Sequence, residues 1–171
     1  MILLISGGSH TGKTVLAQKL LEKYHMPYLS IDHLKMGLIR SGQTQLTPLD
    51  PDEALTEYLW PIVSEMIKTA IENDQDLIVE GIYIPFDWKV DFGEQYLAQI
   101  RYVCLVMTEQ YIREHFKDIC AHANDVEQRL EDELDMEAMI RENQENLRQC
   151  QVHGCEYILV QDRYEVEVTF S

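Results

Sequence analysis

Long hydrophobic runs are missing from this chain. No stretch approaches the roughly 18 apolar residues that a membrane span needs, so no membrane role is expected. Basic residues are scarce as well: 14 Lys and Arg stand against 30 Asp and Glu, a formal net charge of −16 over 171 residues. A field of that sign repels phosphate backbones, which argues against nucleic acid as a partner and leaves solubility as the plain use of the acidity. The cysteines Cys104, Cys120, Cys150 and Cys155 form no C-x-x-C pair. His115, Cys120 and His122 lie near one another in sequence but match no familiar zinc spacing, so these residues read as ordinary cytosolic cysteines and histidines. The apolar run at residues 2–5 carries no basic leader and no small-residue cleavage pattern. No signal peptide is therefore expected, and the expected location is cytoplasmic. Internal repeats and low-complexity linkers are absent too.

What is present is the composition of a globular protein, 46% hydrophobic and 26% charged, at a length that suits a single domain over residues 1–171. Short apolar runs alternate with amphipathic stretches, the pattern of a parallel sheet covered on both faces. Strands are expected at residues 2–6, 28–31, 76–79, 100–106 and 157–160. Helical spacing runs over residues 13–24 through Leu16, Leu20 and Tyr24, then over a short piece marked by Leu34, Leu38 and Ile39. Asp50-Pro51-Asp52-Glu53 reads as a helix start, with Asp50 as cap and Pro51 in the first position. The helix it opens carries Leu55, Leu59, Ile62, Met66 and Ala70 on its apolar stripe, and Pro61 is expected to kink or divide it. Residues 109–150 are helical and heavily charged. The alternation of Val166, Val168 and Phe170 is expected to add an edge strand.

One motif stands out. Gly7-Gly8-Ser9-His10-Thr11-Gly12-Lys13-Thr14 satisfies G-x-x-x-x-G-K-[ST] without a mismatch, between an apolar run and an amphipathic helix. Each fixed position has a chemical reason. Glycines let the backbone turn tightly and bring its N–H groups against phosphate. Lys13 supplies a point charge for the β- and γ-phosphates, Thr14 offers a hydroxyl to Mg²⁺, and the helix that follows aims the positive end of its dipole at the same anion. A chance match in a chain of this length occurs roughly once in a few hundred. The expected ligands are ATP and Mg²⁺.

Around this loop the chain resembles the small P-loop phosphotransferases: nucleoside monophosphate kinases, shikimate and gluconate kinases, 2-phosphoglycerate-kinase-like proteins and zeta-toxin-like kinases. The stretches that carry the resemblance are Gly7 to Thr14, Leu29-Ser30-Ile31-Asp32 with Arg40 downstream, and Leu77 to Gly81. The resemblance implies a three-layer α/β P-loop fold, a five-stranded parallel sheet in the order 2-3-1-4-5 with helices on both faces. It implies an acceptor site in which Asp32 holds or deprotonates a hydroxyl and Arg40 meets an anionic group, with Lys35 a weaker candidate on the same segment. Asp32 would equally serve as a helix cap. Glu80 and Gly81 stand where nucleoside monophosphate kinases end an apolar strand in Asp-Gly, with Glu in place of Asp. A carboxylate there would hold a magnesium-bound water or the acceptor, and it would need a cationic or hydrogen-bonded partner.

The lid-like region, residues 109–150, departs from the family pattern. Its basic residues Arg113, Lys117, Arg129, Arg141 and Arg148 are outnumbered by acids such as Glu127, Glu131, Asp132, Glu133, Asp135 and Glu137. Arg113 comes first as a candidate to neutralise the transferring phosphoryl group, and Arg129 second. The expected function is transfer of the γ-phosphoryl of Mg-ATP to a hydroxyl or phosphate of a small-molecule acceptor. Two other readings stay open: a nucleotide-dependent regulatory switch or NTPase, and a toxin-like kinase of a nucleotide sugar. Against a GTPase, no base-reading Asn-Lys-x-Asp is found. Against an AAA-type motor, Val79-Glu80-Gly81 offers no paired acids.

Overall fold

The computed structural model describes residues 1–122 and 134–170. In chain order the elements are β1 (Ile2–Gly7), α1 (Lys13–Tyr24), β2 (Tyr28–Ser30), α2 (Ile31–Arg40), α3 (Asp52–Glu72) and β3 (Leu77–Glu80), followed by a short 3-10 turn at Trp88–Asp91. Then come α4 (Glu94–Leu97), β4 (Ile100–Met107), α5 (Glu109–His122), α6 (Met136–His153) and β5 (Tyr157–Val160). The five strands are parallel in the order β2-β3-β1-β4-β5, as the sequence leads one to expect. A purely parallel sheet needs both faces covered: β1 is buried throughout, and β4 is buried from Tyr102 onward.

Alternate residues of the strands feed the two faces. On one, Ile2, Leu4, Val79, Cys104 and Val106 pack against Leu55, Leu59, Val63 and Ile67 of α3. On the other, Leu3, Ile5, Ile78, Val103 and Leu105 pack against Leu16, Ala17 and Leu20 of α1 and Ile112 and Ile119 of α5. α6 is pinned to the end of β4 by Asn143, which is buried, accepts from the Met107 N–H at 2.9 Å and donates to Met139 O at 2.9 Å. Its N-cap is Asp135, whose carboxylate accepts from the N–H groups of Glu137 and Ala138.

Three local expectations need correction. Of the kink or division expected at Pro61, the division does not occur: α3 is one helix through it. Pro61 and Glu57, whose carbonyl loses its helical partner, both lie on the exposed side, where water can satisfy that carbonyl. The same helix starts one residue late: Pro51 is its N-cap, while the Asp50 carboxylate turns back to accept from the Thr47 N–H at 2.6 Å. The alternating tail forms no edge strand. Val166 and Val168 are buried with the α1 face of the sheet, and Phe170 packs edge-on to Tyr24 at 5.0 Å between ring centroids. The segment covers a face, so its alternation is satisfied by side-chain burial rather than by a backbone ladder. It is tied down by Arg101, whose Nη1 donates to Thr169 O at 3.0 Å.

Candidate active site

β1, β2 and β3 all end at one edge of the sheet, and the chain turns there three times. The first turn is the glycine-rich loop. Gly7 has φ 139°, and a Cβ on it would lie 2.6 Å from Leu105 O and 2.9 Å from Thr11 Oγ1, so only glycine fits. Gly12, at φ 89°, is the N-cap of α1 and brings no side chain to cap it. The first helical bond is donated by Leu16 to Gly12 O at 2.9 Å, which leaves the N–H groups of the first turn facing the loop. Inside the loop, the Thr11 hydroxyl and the Lys13 ammonium both donate to Gly8 O, at 2.8 and 2.7 Å. Both residues are buried. A compact turn of backbone N–H groups ahead of a helix N-terminus is an anion cradle.

Behind the loop sits Glu80, the last residue of β3 and only 1% exposed. Thr14 Oγ1 donates to its Oε1 at 3.2 Å. Ser30, in register with Glu80 on the neighbouring strand, is also buried, and its hydroxyl has no hydrogen-bond partner among the described residues. Thr14 and Glu80 thus meet directly, with Ser30 beside Glu80 in register, and hard oxygen atoms of this kind suit Mg²⁺ and its water shell. Gly81 follows without a side chain because a Cβ there would come within 3.0 Å of Ile31 Cβ.

The second cluster lies across the edge. Lys35, on α2, donates to Asp32 Oδ1 at 2.7 Å and to the Tyr83 hydroxyl at 2.9 Å. Burial works against its charge, yet the bonds to Asp32 and Tyr83 outweigh it, and the Lys35 pKa is raised. Burial raises the Tyr83 phenol, partly offset by Lys35. Asp52, in the first turn of α3, joins the group electrostatically: burial raises its carboxyl, Lys35 lowers it and the Asp32 charge raises it again.

The structure thus brings Lys13, Thr14, Glu80 and Gly81 to the loop, with Asp32 on the adjacent helix start. It does not bring Arg40 to Asp32. Arg40 is exposed in the last turn of α2, about 12 Å along the helix axis from Asp32. Arg113, in the first half of α5, divides its guanidinium between Glu109 at 2.8 Å and Glu137 at 2.7 Å. Arg129 lies outside the described residues.

Three side chains at the site went unnoticed in the sequence. Tyr83 follows Gly81 by two residues and would have been found by extending the search past the strand end. Tyr164 stands just beyond β5, and its hydroxyl donates to Thr11 O at 2.8 Å while lying over Gly12. Glu142 of α6 places Oε2 only 2.9 Å from where a Cβ on Gly8 would sit. Nothing local marks either of these two. Among the described residues no group of three or more His, Cys, Asp or Glu converges as a metal site, and no helix is long and apolar enough to cross a membrane.

No protein-family model matches the chain, and no curated protein matches its sequence. Among solved structures it is similar to a candidate kinase from Chloroflexus aurantiacus j-10-fl, at 15% identity and a TM-score of 0.55, over 95% of this chain and 88% of that one. A sugar kinase from Janibacter sp. HTCC2649, solved without ligand, is similar at 14% identity and a TM-score of 0.50, over 94% of this chain and 84% of that one. At such identities the likeness is one of fold. The chain has the P-loop kinase fold.

Proposed function

We propose that this chain is an ATP-dependent phosphotransferase that moves the γ-phosphoryl group of Mg-ATP to a hydroxyl or phosphate of a small acceptor. The observation that carries the reading is the meeting of two clusters at one sheet edge: the loop with Lys13 and Thr14, and the Asp32–Lys35–Tyr83 group. A cradle alone binds a triphosphate. A cradle facing an acid positioned by a lysine can also orient an acceptor.

In this reading the backbone N–H groups of Gly8 to Thr14 and the Lys13 ammonium hold the phosphates. Thr14, Glu80 and Ser30 would hold Mg²⁺ through its water shell, and the metal when bound neutralises phosphate charge. Asp32 aligns the acceptor hydroxyl and takes its proton. The acceptor oxygen then bonds to the γ-phosphorus as the bond to the β–γ bridging oxygen breaks, and ADP leaves with that electron pair. Lys35 fixes the Asp32 carboxylate in place. Arg113 is the candidate cation for the transferring group, and to act it must give up Glu137. A small acceptor also accords with the acidic surface, which opposes nucleic acid.

A second reading is a nucleotide-dependent switch, favoured by the reach of Glu142 from α6 to Gly8, since that contact would couple helix position to triphosphate binding. ADP release measured against a panel of hydroxyl compounds and nucleotides separates the two. Acceptor-dependent release that disappears in Asp32→Asn supports the kinase. Slow release indifferent to every acceptor supports the switch.

A further inference from the structure

Three bonded side chains at the acceptor edge run from the surface inward. The Asp32 side chain is 29% exposed, that of Lys35 12%, and Tyr83 only 3%. Asp32 and Lys35 stand three residues apart on α2, which puts them on one face of the helix. Tyr83 comes from the segment after β3, two residues past Gly81. The ammonium lies between the other two, donating to Asp32 Oδ1 at 2.7 Å and to the Tyr83 hydroxyl at 2.9 Å. A lysine carries its charge on a flexible four-carbon stem, so one bond to a carboxylate on the same helix fixes it poorly. The second bond, from a different element, removes that freedom. Its chemistry matters as well. Burial raises the Tyr83 phenol and keeps it protonated, so it orients the ammonium without competing for its charge. A carboxylate in its place would draw Lys35 inward, away from Asp32.

Resting on the kinase reading above, we propose that Tyr83 is a positioning residue for phosphoryl transfer: it anchors Lys35, and Lys35 in turn fixes the Asp32 carboxylate that takes the acceptor proton. Tyr83 acts without touching the acceptor. Lys35 occupies Oδ1 of Asp32, which leaves Oδ2 to the acceptor hydroxyl. The hydroxyl proton passes to Oδ2 as the acceptor oxygen bonds to the γ-phosphorus, and neither Lys35 nor Tyr83 gains or loses a proton. The segment that carries Tyr83 leaves β3 at Glu80, which accepts from the Thr14 hydroxyl at 3.2 Å. The base is therefore aligned from the same strand end that backs the phosphate loop, and a short run of chain joins the two halves of the site.

The test compares the full wild-type chain with Tyr83→Phe, Lys35→Met and the double variant. With lysine labelled by ¹⁵N at Nζ, the Lys35 ammonium signal is assigned by its loss in Lys35→Met. Tyr83→Phe is expected to speed exchange of that ammonium with water by about tenfold or more, with melting temperature and Mg-ATP affinity near those of the wild type. Turnover is then read as ADP release with glycerol, ethanolamine, D-ribose, D-gluconate and AMP. On a compound the wild type uses, Tyr83→Phe is expected to lower kcat about tenfold and to leave both KM values within about threefold. In the Lys35→Met background the same change is expected to add nothing, because its route to Asp32 is gone. A merely structural role would give equal losses in both backgrounds. Equal losses, or an unchanged ammonium exchange, overturn the inference while leaving the kinase reading intact. If Tyr83→Phe does not fold, replacing Tyr83 by fluorotyrosine keeps the shape, weakens the bond and gives the same comparison. No acceptor-dependent release with any of these compounds, with Mg-ATP still bound, is a failure of the kinase reading, and the inference falls with it.

Discussion

The Glu142 carboxylate of α6 lies against Gly8 of the phosphate loop, Oε2 standing 2.9 Å from the position a Cβ would take. Lys13 donates to the carbonyl of that same glycine at 2.7 Å. A negative side chain is thus held at the mouth of a cradle whose ligand is a polyanion.

Glu142→Gln keeps the shape and removes the charge. Repulsion between a partly exposed carboxylate and a triphosphate a few ångströms away amounts to about 1 kcal/mol after solvent screening, so ATP should bind roughly three- to tenfold more tightly to the variant. Calorimetric titration checks it. Equal or weaker binding would mean that Glu142 supports the loop instead of opposing its ligand.

Gly12→Ala is expected to be severe. The left-handed backbone there costs a side-chain-bearing residue about 1–2 kcal/mol, and the new Cβ would overlap the Tyr164 hydroxyl. A loss of at least about 2 kcal/mol in urea unfolding is expected, together with loss of ATP binding. A variant as stable as the wild type would show that Tyr164 does not rest on Gly12.

Tyr164 should also make stability depend on pH in base. Burial, with a smaller contribution from Tyr111, pushes its phenol up to about 12. The folded state therefore keeps a proton that the unfolded chain releases near 10, and folding is favoured by that difference below pH 10. As pH rises from about 10 to about 12 the advantage, on the order of 2 kcal/mol, is lost. Tyr164→Phe should flatten the fall in stability over that window. An unchanged pH profile, followed by urea unfolding at each pH, would contradict the buried phenol.

What the sequence discloses depends on the range of the interaction. α1 could be read residue for residue, because the Leu16–Leu20–Tyr24 stripe and the glycine before Lys13 are local signals. The strand order followed from the resemblance, and the loop from a contiguous motif whose chemistry is fixed by backbone turns. Glu142 and Tyr164 were invisible because packing brings them to the site from 134 and 153 positions away from Gly8 and Thr11 respectively, whereas Tyr83 lies in the local stretch just past Gly81. The tail shows the limit of periodicity. Val166 and Val168 alternate as a strand would, but alternation reports which side chains are buried, and it is silent on whether a neighbouring strand has an open edge to pair with. Pro61 does not divide α3, because Leu59, Trp60, Val63 and Ser64 are buried on the other side of the helix and hold both halves in place.

The account turns on Gly7 to Thr14 binding a triphosphate through Lys13. Calorimetric titration of Mg-ATP into the wild type, Asp32→Asn and Lys13→Ala tests it most directly. Binding is expected in the wild type, within about threefold of that in Asp32→Asn, and at least about 30-fold weaker in Lys13→Ala, whose fold is checked by its melting temperature. A folded Lys13→Ala protein that binds Mg-ATP as tightly as the wild type would contradict the account at its root.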